Sequence, residues 1–355
     1  GWTARFSAAA RDVDLSPSVT EALPAELARI VRRLEAQGRL QLEIIGARLA
    51  ERDGVAWNFG GQLVLSDGAL QLGVPLDDIE GGLSGTCRID PAGGVGLDGA
   101  LRIESGTLAG RRLAGLAGEI HYRAGERWIR LDELRGQICG GDAVGFVHVD
   151  PVTSEYELSV TLQNVLLDEF LPKQPAQDPA ALAGQRRSAR AGAMRRGVLD
   201  GYVFLRGHAD DPASRQGGGE LRVTGASILQ TPVAAEVVEA NPHAEAVSDA
   251  LQGAELRFTW DGAELHFTRL ELLSPDLHLA GEGIWNMDSD QIAMTLVGAH
   301  PRNWPRMAAL GDLLETTERQ LVQYHVTGTL AAPQVRAEPL YRLTEALRAL
   351  ILSGD

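Results

Sequence analysis

The groups in this chain with chemistry to offer are eight histidines, 48 acidic residues and two cysteines. A zinc hydrolase of the His-Glu-x-x-His type needs two histidines one helical turn apart. His121, His148, His208, His243, His266, His278, His300 and His325 contain no such pair. His121, His148, His266, His278 and His325 fall in alternating segments, mostly at polar positions, and are expected on solvent-facing sides of strands. The serine of Gly82-Leu83-Ser84-Gly85-Thr86 lacks the closing glycine of a nucleophile elbow. Lys173 is the only lysine, in Leu171-Pro172-Lys173-Gln174, so a Walker phosphate loop is absent and any Schiff-base chemistry would fall to that one residue. Gly81-Gly82 and Gly217-Gly218-Gly219 precede expected strands, not helices, and so lack the helix N-terminal amides of a phosphate cradle.

Carboxylates occur in pairs at Asp77-Asp78, Asp210-Asp211 and Asp288-Ser289-Asp290. Each falls at an expected turn, where aspartate is a natural turn former. Calcium at Asp288 and Asp290 would lack an EF-hand pattern, and a glycosidase would need two carboxylates facing one cleft. Cys87 and Cys139 form no Cys-x-x-Cys pair, which excludes a thiol redox motif and a zinc ribbon. Their spacing fits either two buried thiols or one disulfide. No metal site, cofactor or catalytic residue is expected, and an enzyme on a β scaffold is the least favoured class.

The chain that must position these groups has 355 residues and a net charge of −15, which disfavours nucleic acid as a partner. No apolar run of about 18 residues is long enough for a membrane-spanning helix. Gly1-Trp2-Thr3-Ala4-Arg5-Phe6 lacks the charged start and apolar core of an export signal and does not begin with Met. A fragment, with a signal or anchor removed, is the expectation.

Period-two alternation dominates, the mark of strands with one apolar face. Leu63 and Leu65 lead into Asp67-Gly68, read as a tight hairpin, and Asp261-Gly262 repeats the device between Leu256-Phe258-Trp260 and Leu265-Phe267. An internal repeat follows: Gly145 to Gly283 and Asp150 to Asp288 are both 138 positions apart, within similar runs of short strands. Helices are expected at 24–37, 233–251, 307–321 and 339–352. These divide the chain into a β segment over 1–171, a basic, proline-bearing linker over 172–197 and a second β segment over 198–355. The linker is either simply solvated or in touch with anionic headgroups.

Four helices cannot cover a dozen or more one-faced strands. Exposed apolar surface costs roughly 25 cal/mol per Å². The sheet must therefore close on itself, pack on a second sheet, or hold something apolar. Candidate lining residues are Leu256, Phe258, Trp260, Leu265, Phe267, Leu277, Leu279, Ile284, Ile292, Met294 and Leu296, each equally readable as ordinary core. Arg257, Thr259 and Thr295 should face solvent.

The last part of the chain resembles the C-terminal region of the AsmA-like family, which includes TamB-type proteins. The likeness begins at Gly218-Gly219-Glu220-Leu221-Arg222-Val223 and continues through Leu277-His278-Leu279-Ala280-Gly281-Glu282-Gly283. It closes on Val326-Thr327-Gly328-Thr329-Leu330-Ala331-Ala332-Pro333; residues 99–160 resemble an earlier, looser copy. The resemblance implies a mainly β fold: an elongated, strongly curved antiparallel sheet forming an apolar groove, with a few short helices. It implies a lipid-binding or lipid-transfer module of a bacterial cell envelope, with phospholipids or other acyl lipids as partners. Such a module lies in the periplasm, is held at the inner membrane by an N-terminal anchor that is expected to be missing from the sequence as given, meets envelope protein partners and supports outer-membrane assembly. The alternative is a non-catalytic scaffold with a closed β-sandwich core.

Overall fold

The computed structural model describes residues 3–23, 25–51, 55–71, 74–170, 197–226, 232–240, 252–300 and 321–339. Most of the linker, the helical stretch beyond Ala240 and nearly all of the two helices expected after it lie outside these residues. Seventeen strands are hydrogen-bonded into one antiparallel sheet, and the described helices are few and short. The chain forms two compact units: one of residues 1–165 with 202–217, the other of 166–201 with 218–355. Thus 202–217, expected in the second β segment, belongs to the first unit.

In the first unit the strands follow one another as antiparallel neighbours. They are β1 (Thr3–Asp14), β2 (Gln37–Glu51), β3 (Val55–Gln71), β4 (Pro75–Ile89), β5 (Val95–Leu108), β6 (Arg111–Tyr122), β7 (Ile129–Ile138), β8 (Gly141–Val149) and β9 (Glu155–Leu166). Helices α1 (Pro17–Ala22) and α2 (Ala25–Arg33) join β1 to β2, where the sequence suggests one helix over 24–37. The hairpin expected at Asp67-Gly68 does not form. Strand β3 runs through it, and the ladder to β4 shifts register between Leu65 and Gly68. Asp67 has φ +51°, so a residue that tolerates the left-handed region serves a bulge instead of a turn. Gly81-Gly82 likewise lies inside β4, and Gly217-Gly218-Gly219 inside β11 (Asp211–Thr224), not ahead of strands.

The second unit carries β12 (Gly253–Asp261), β13 (Glu264–Leu273), β14 (His278–Asn286), β15 (Gln291–Ala299), β16 (Val322–Thr329) and β17 (Pro333–Pro339), again paired in sequence order. Here the Asp261-Gly262 hairpin does form: Asp261 pairs with Glu264, and Gly262 takes φ +57°. Helix α3 (Leu167–Phe170) is a single turn, and helix α4 (Pro232–Ala240) packs against β17. The two halves of the repeat are the strand runs β6–β9 and β12–β15. Each has a register shift in its second ladder, between Leu131 and Leu134 and between Phe267 and Leu270. Strands β10 (Val198–His208) and β11 contribute residues to both units.

Candidate functional site

Directly opposed residues in an antiparallel ladder point to the same face, so the registers fix the composition of each face. In the first unit one row runs Ala8, Ile44, Gly61, Gly85, Gly99, Ile120, Leu131, Val147, Leu158, one residue from each of nine successive strands. Beside it runs a second row: Ala10, Leu42, Leu63, Leu83, Leu101, Gly118. Neither row contains a polar side chain. Alternation dictates this, because each strand puts its charged residues on the other face.

The glycine row permits close strand approach. A Cβ on Gly85 would lie 2.3 Å from the Asp98 carbonyl oxygen and 2.5 Å from the Gly99 Cα. With no side chains at three consecutive positions, the leucine row borders a furrow. Leu42, Leu63, Leu83 and Leu101 are each only half-buried. Sheet neighbours crowd a side chain laterally; it becomes fully buried only when something also lies on top. Half-burial of four aligned leucines therefore marks a floor that is flanked but not roofed.

Both margins of this floor are covered. Towards one strand end, Leu76, Ile79, Ile103 and Leu113 form a buried cluster backed by Leu65, Leu101 and Leu116. Towards the other, Cys87, Val95, Tyr122 and Ile129 form a second, with Ile30 of α2 packed against it. Helix α2 is held there by the Gln71 N–H donating to the Leu34 carbonyl at 2.8 Å and by an Arg33–Asp210 ion pair at 3.0 Å. A small open hollow lies against α2 and is lined by Ile30, Arg33, Leu34, Ile129, Asp150 and Tyr156.

The residues expected to line a groove all belong to the second unit, and the structure places them differently. Phe258, Leu265, Phe267, Leu277, Leu279, Ile292, Met294 and Leu296 are buried, Leu279 and Leu296 to 1% exposure. Leu256 and Trp260 are half-buried. All of them except Leu277, in the β13–β14 turn, and Ile284 share one face with Val322, Tyr324 and Val326. Ile284 does not belong to that set. It opposes His266 and Ala293, points to the other face and is 38% exposed. The apolar position is Trp285, which opposes Leu265 and Ile292. Counting by twos from Leu279 through Gly281 and Gly283 reaches Trp285, so the signal was present in the sequence. Arg257, Thr259 and Thr295 are exposed as expected.

The opposite faces carry the charges. In the first unit Asp98 accepts from His121 at 3.0 Å, with Glu119 on the other ring nitrogen at 3.2 Å, and both carboxylates raise the His121 pKa. His148 meets Asp132 at 2.9 Å and stacks on Phe146. Burial alone would raise the Asp150 pKa, but the Val152 and Thr153 N–H groups and Arg127 hold it below the usual range. In the second unit Arg269, and then His278, lower the Glu271 pKa through contacts of 2.6 and 2.8 Å. His278 is thus a buried, paired histidine and not a solvent-facing one. Asp290 accepts the Trp285 indole N–H at 3.1 Å, a role within its own turn.

Cys87 and Cys139 are both free and buried, and desolvation pushes the Cys87 thiol up to about 11. Among the described residues, no three His, Cys, Asp or Glu side chains converge to hold a metal ion, and no helix is long and apolar enough to cross a membrane.

No protein-family model, curated protein or solved structure matches the chain. The likeness to AsmA-like proteins rests on the motifs quoted above.

Proposed function

We propose that the protein binds lipid, laying acyl chains across strands β2 to β5 of the first unit. The observation that carries this reading is the row Leu42, Leu63, Leu83, Leu101, aligned in register, half-buried and bordered by three glycines. Adjacent strands are about 4.8 Å apart, so the row spans roughly 14 Å. That is the reach of the greater part of a fatty acyl chain. Each methylene removed from water contributes roughly 0.8 kcal/mol. A site open on one side leaves the headgroup hydrated and avoids its desolvation cost. The AsmA-like resemblance extends the reading to a lipid-transfer module of a bacterial cell envelope, working in the periplasm and supporting outer-membrane assembly.

The test is mass spectrometry of lipids co-purified with the protein, joined to photocrosslinking from probes at positions 83 and 101. Co-purified phospholipid or fatty acid, crosslinked from both positions and not from a probe at the buried position 296, is the expected result. Protein free of lipid, with no crosslink from either leucine position, overturns it. A non-catalytic scaffold is the second reading, and one observation favours it: the matching face of the second unit is already buried, with Tyr324 and Val326 at 0% exposure.

A further inference from the structure

Three of the eight well-exposed large apolar side chains among the described residues sit at one corner of the first unit. Phe6 is 39% exposed, Trp57 41% and Ile45 62%. Phe6 lies near the start of β1, Ile45 in the second half of β2 and Trp57 near the start of β3. The Phe6 and Trp57 rings meet edge to face, 6.1 Å apart at 88°, the favoured arrangement of an aromatic pair.

This corner is the outlying end of the apolar face. Trp57 opposes Ile89, which opposes Val95, and Val95 lies in the cluster on which Ile30 packs. The row that begins under a helix thus ends in two exposed aromatic rings. Ile45 opposes Gly60 and projects from the other face, so apolar side chains emerge on both sides of the sheet at this point. Arg5, adjacent to Phe6, is exposed and opposes Arg48 in the ladder. Tryptophan with phenylalanine and isoleucine, beside arginine, is the chemistry of the bilayer interface. The indole there sits at headgroup level, and the cation pairs with anionic lipid.

We infer that the Phe6–Trp57–Ile45 corner docks the protein onto the headgroup layer of an anionic phospholipid bilayer, where lipid meets the apolar face. The inference rests on the lipid-binding reading above, since the corner is continuous with that floor. Chemistry selects the occupant: the flanking arginine suits anionic headgroups, and three side chains emerging around one corner of both faces suit a soft interface.

Flotation with vesicles of phosphatidylcholine mixed with phosphatidylglycerol tests it, beside vesicles of phosphatidylcholine alone. The wild-type protein floats with the mixed vesicles. Phe6→Ser with Trp57→Ser lowers the floating fraction's partition constant at least about tenfold, since partial burial of two such rings contributes that much. Arg5→Glu weakens flotation on mixed vesicles and leaves the phosphatidylcholine arm unchanged. Val152→Ser, at another exposed apolar position, leaves flotation at the wild-type level. The inference is overturned by absence of wild-type flotation, by equal losses from the Val152 and aromatic variants, or by self-association that the aromatic variant abolishes while flotation persists. Lipid content of the purified protein is measured in parallel. Protein that carries lipid but ignores vesicles defeats this inference alone, whereas protein that carries none defeats the lipid-binding reading. Circular dichroism of each variant separates a lost docking surface from a lost fold.

Discussion

Replacing Leu83 and Leu101 together with asparagine is the sharpest test of the apolar floor. These residues oppose each other across β4 and β5 and sit mid-row. Fully burying a leucine contributes roughly 1.5–3 kcal/mol. Both are already half-buried, and an acyl chain lying on one side covers about half of what is left, so the gain is roughly a quarter of that, about 0.5 kcal/mol each. The larger effect is the new amides. An amide pressed against hydrocarbon without a partner costs about 1–3 kcal/mol. Two amides and two lost leucines sum to roughly 3–7 kcal/mol, and relaxation of the amides toward water brings the expected loss to the lower end. That is at least about a hundredfold in affinity. The assay is displacement of a fluorescent fatty acid, with co-purified lipid counted by mass spectrometry. Folding should persist, because neither leucine is fully enclosed in the protein and both amides reach water when no lipid is bound. A double variant with native circular dichroism and undiminished lipid binding refutes the argument that this row is the binding floor.

Three further outcomes follow from the packing and the charges. Gly85→Ala should lower stability by about 1–3 kcal/mol in urea unfolding, because its Cβ would meet the Asp98 carbonyl oxygen at 2.3 Å and β4 or β5 must shift. Leu296→Ala should cost about 2–5 kcal/mol, whereas Ile284→Ala should change stability by no more than about 0.5 kcal/mol. Equal losses would restore Ile284 to the apolar face. Glu271 has a lowered pKa, so its contribution is present above its usual value and is lost as pH falls through the lowered one. Arg269→Gln should therefore move the acid-unfolding midpoint of the second unit to higher pH, read by fluorescence during acid titration.

The sequence revealed the strands, their faces and the hairpin at Asp261-Gly262, because alternation and turn chemistry are local. Sites that depend on cross-strand register were less legible. Leu42, Leu63, Leu83 and Leu101 stand 21, 20 and 18 positions apart. No fixed period announces a row whose spacing reflects the length of each strand and turn. Asp67-Gly68 misled for a related reason: a left-handed aspartate before glycine serves a hairpin or a bulge equally well. Only the strand on its far side decides which. At Ile284 the alternation itself is sufficient: Leu279, Gly281, Gly283 and Trp285 share one phase, but the two glycines leave that phase without side chains to follow, and Ile284 is the first apolar residue after them.

The same local pattern has two outcomes in this molecule, and the difference lies in what else reaches the face. In the second unit Gly298 sits beneath Leu279 and Tyr324, whose side chains come within 2.6 and 2.8 Å of where its Cβ would be. Large side chains from neighbouring strands therefore fill the space a glycine leaves, and the face is buried. In the first unit Gly85 opposes Gly61 on one side and Gly99 on the other, so no large side chain on an adjacent strand faces the gap directly. Alternating glycine with a large residue across strands closes a face; aligning glycine with glycine leaves a furrow. Introducing a large residue beside the furrow should convert one into the other. Ala100 points to the opposite face and cannot do so, whereas Leu83→Phe and Leu101→Phe lie in the adjacent row and can fold over Gly85 and Gly99. Those variants should retain stability and lose acyl binding, measured by urea unfolding and fatty-acid displacement. If they bind lipid as the wild type does, the furrow is not where the chain lies.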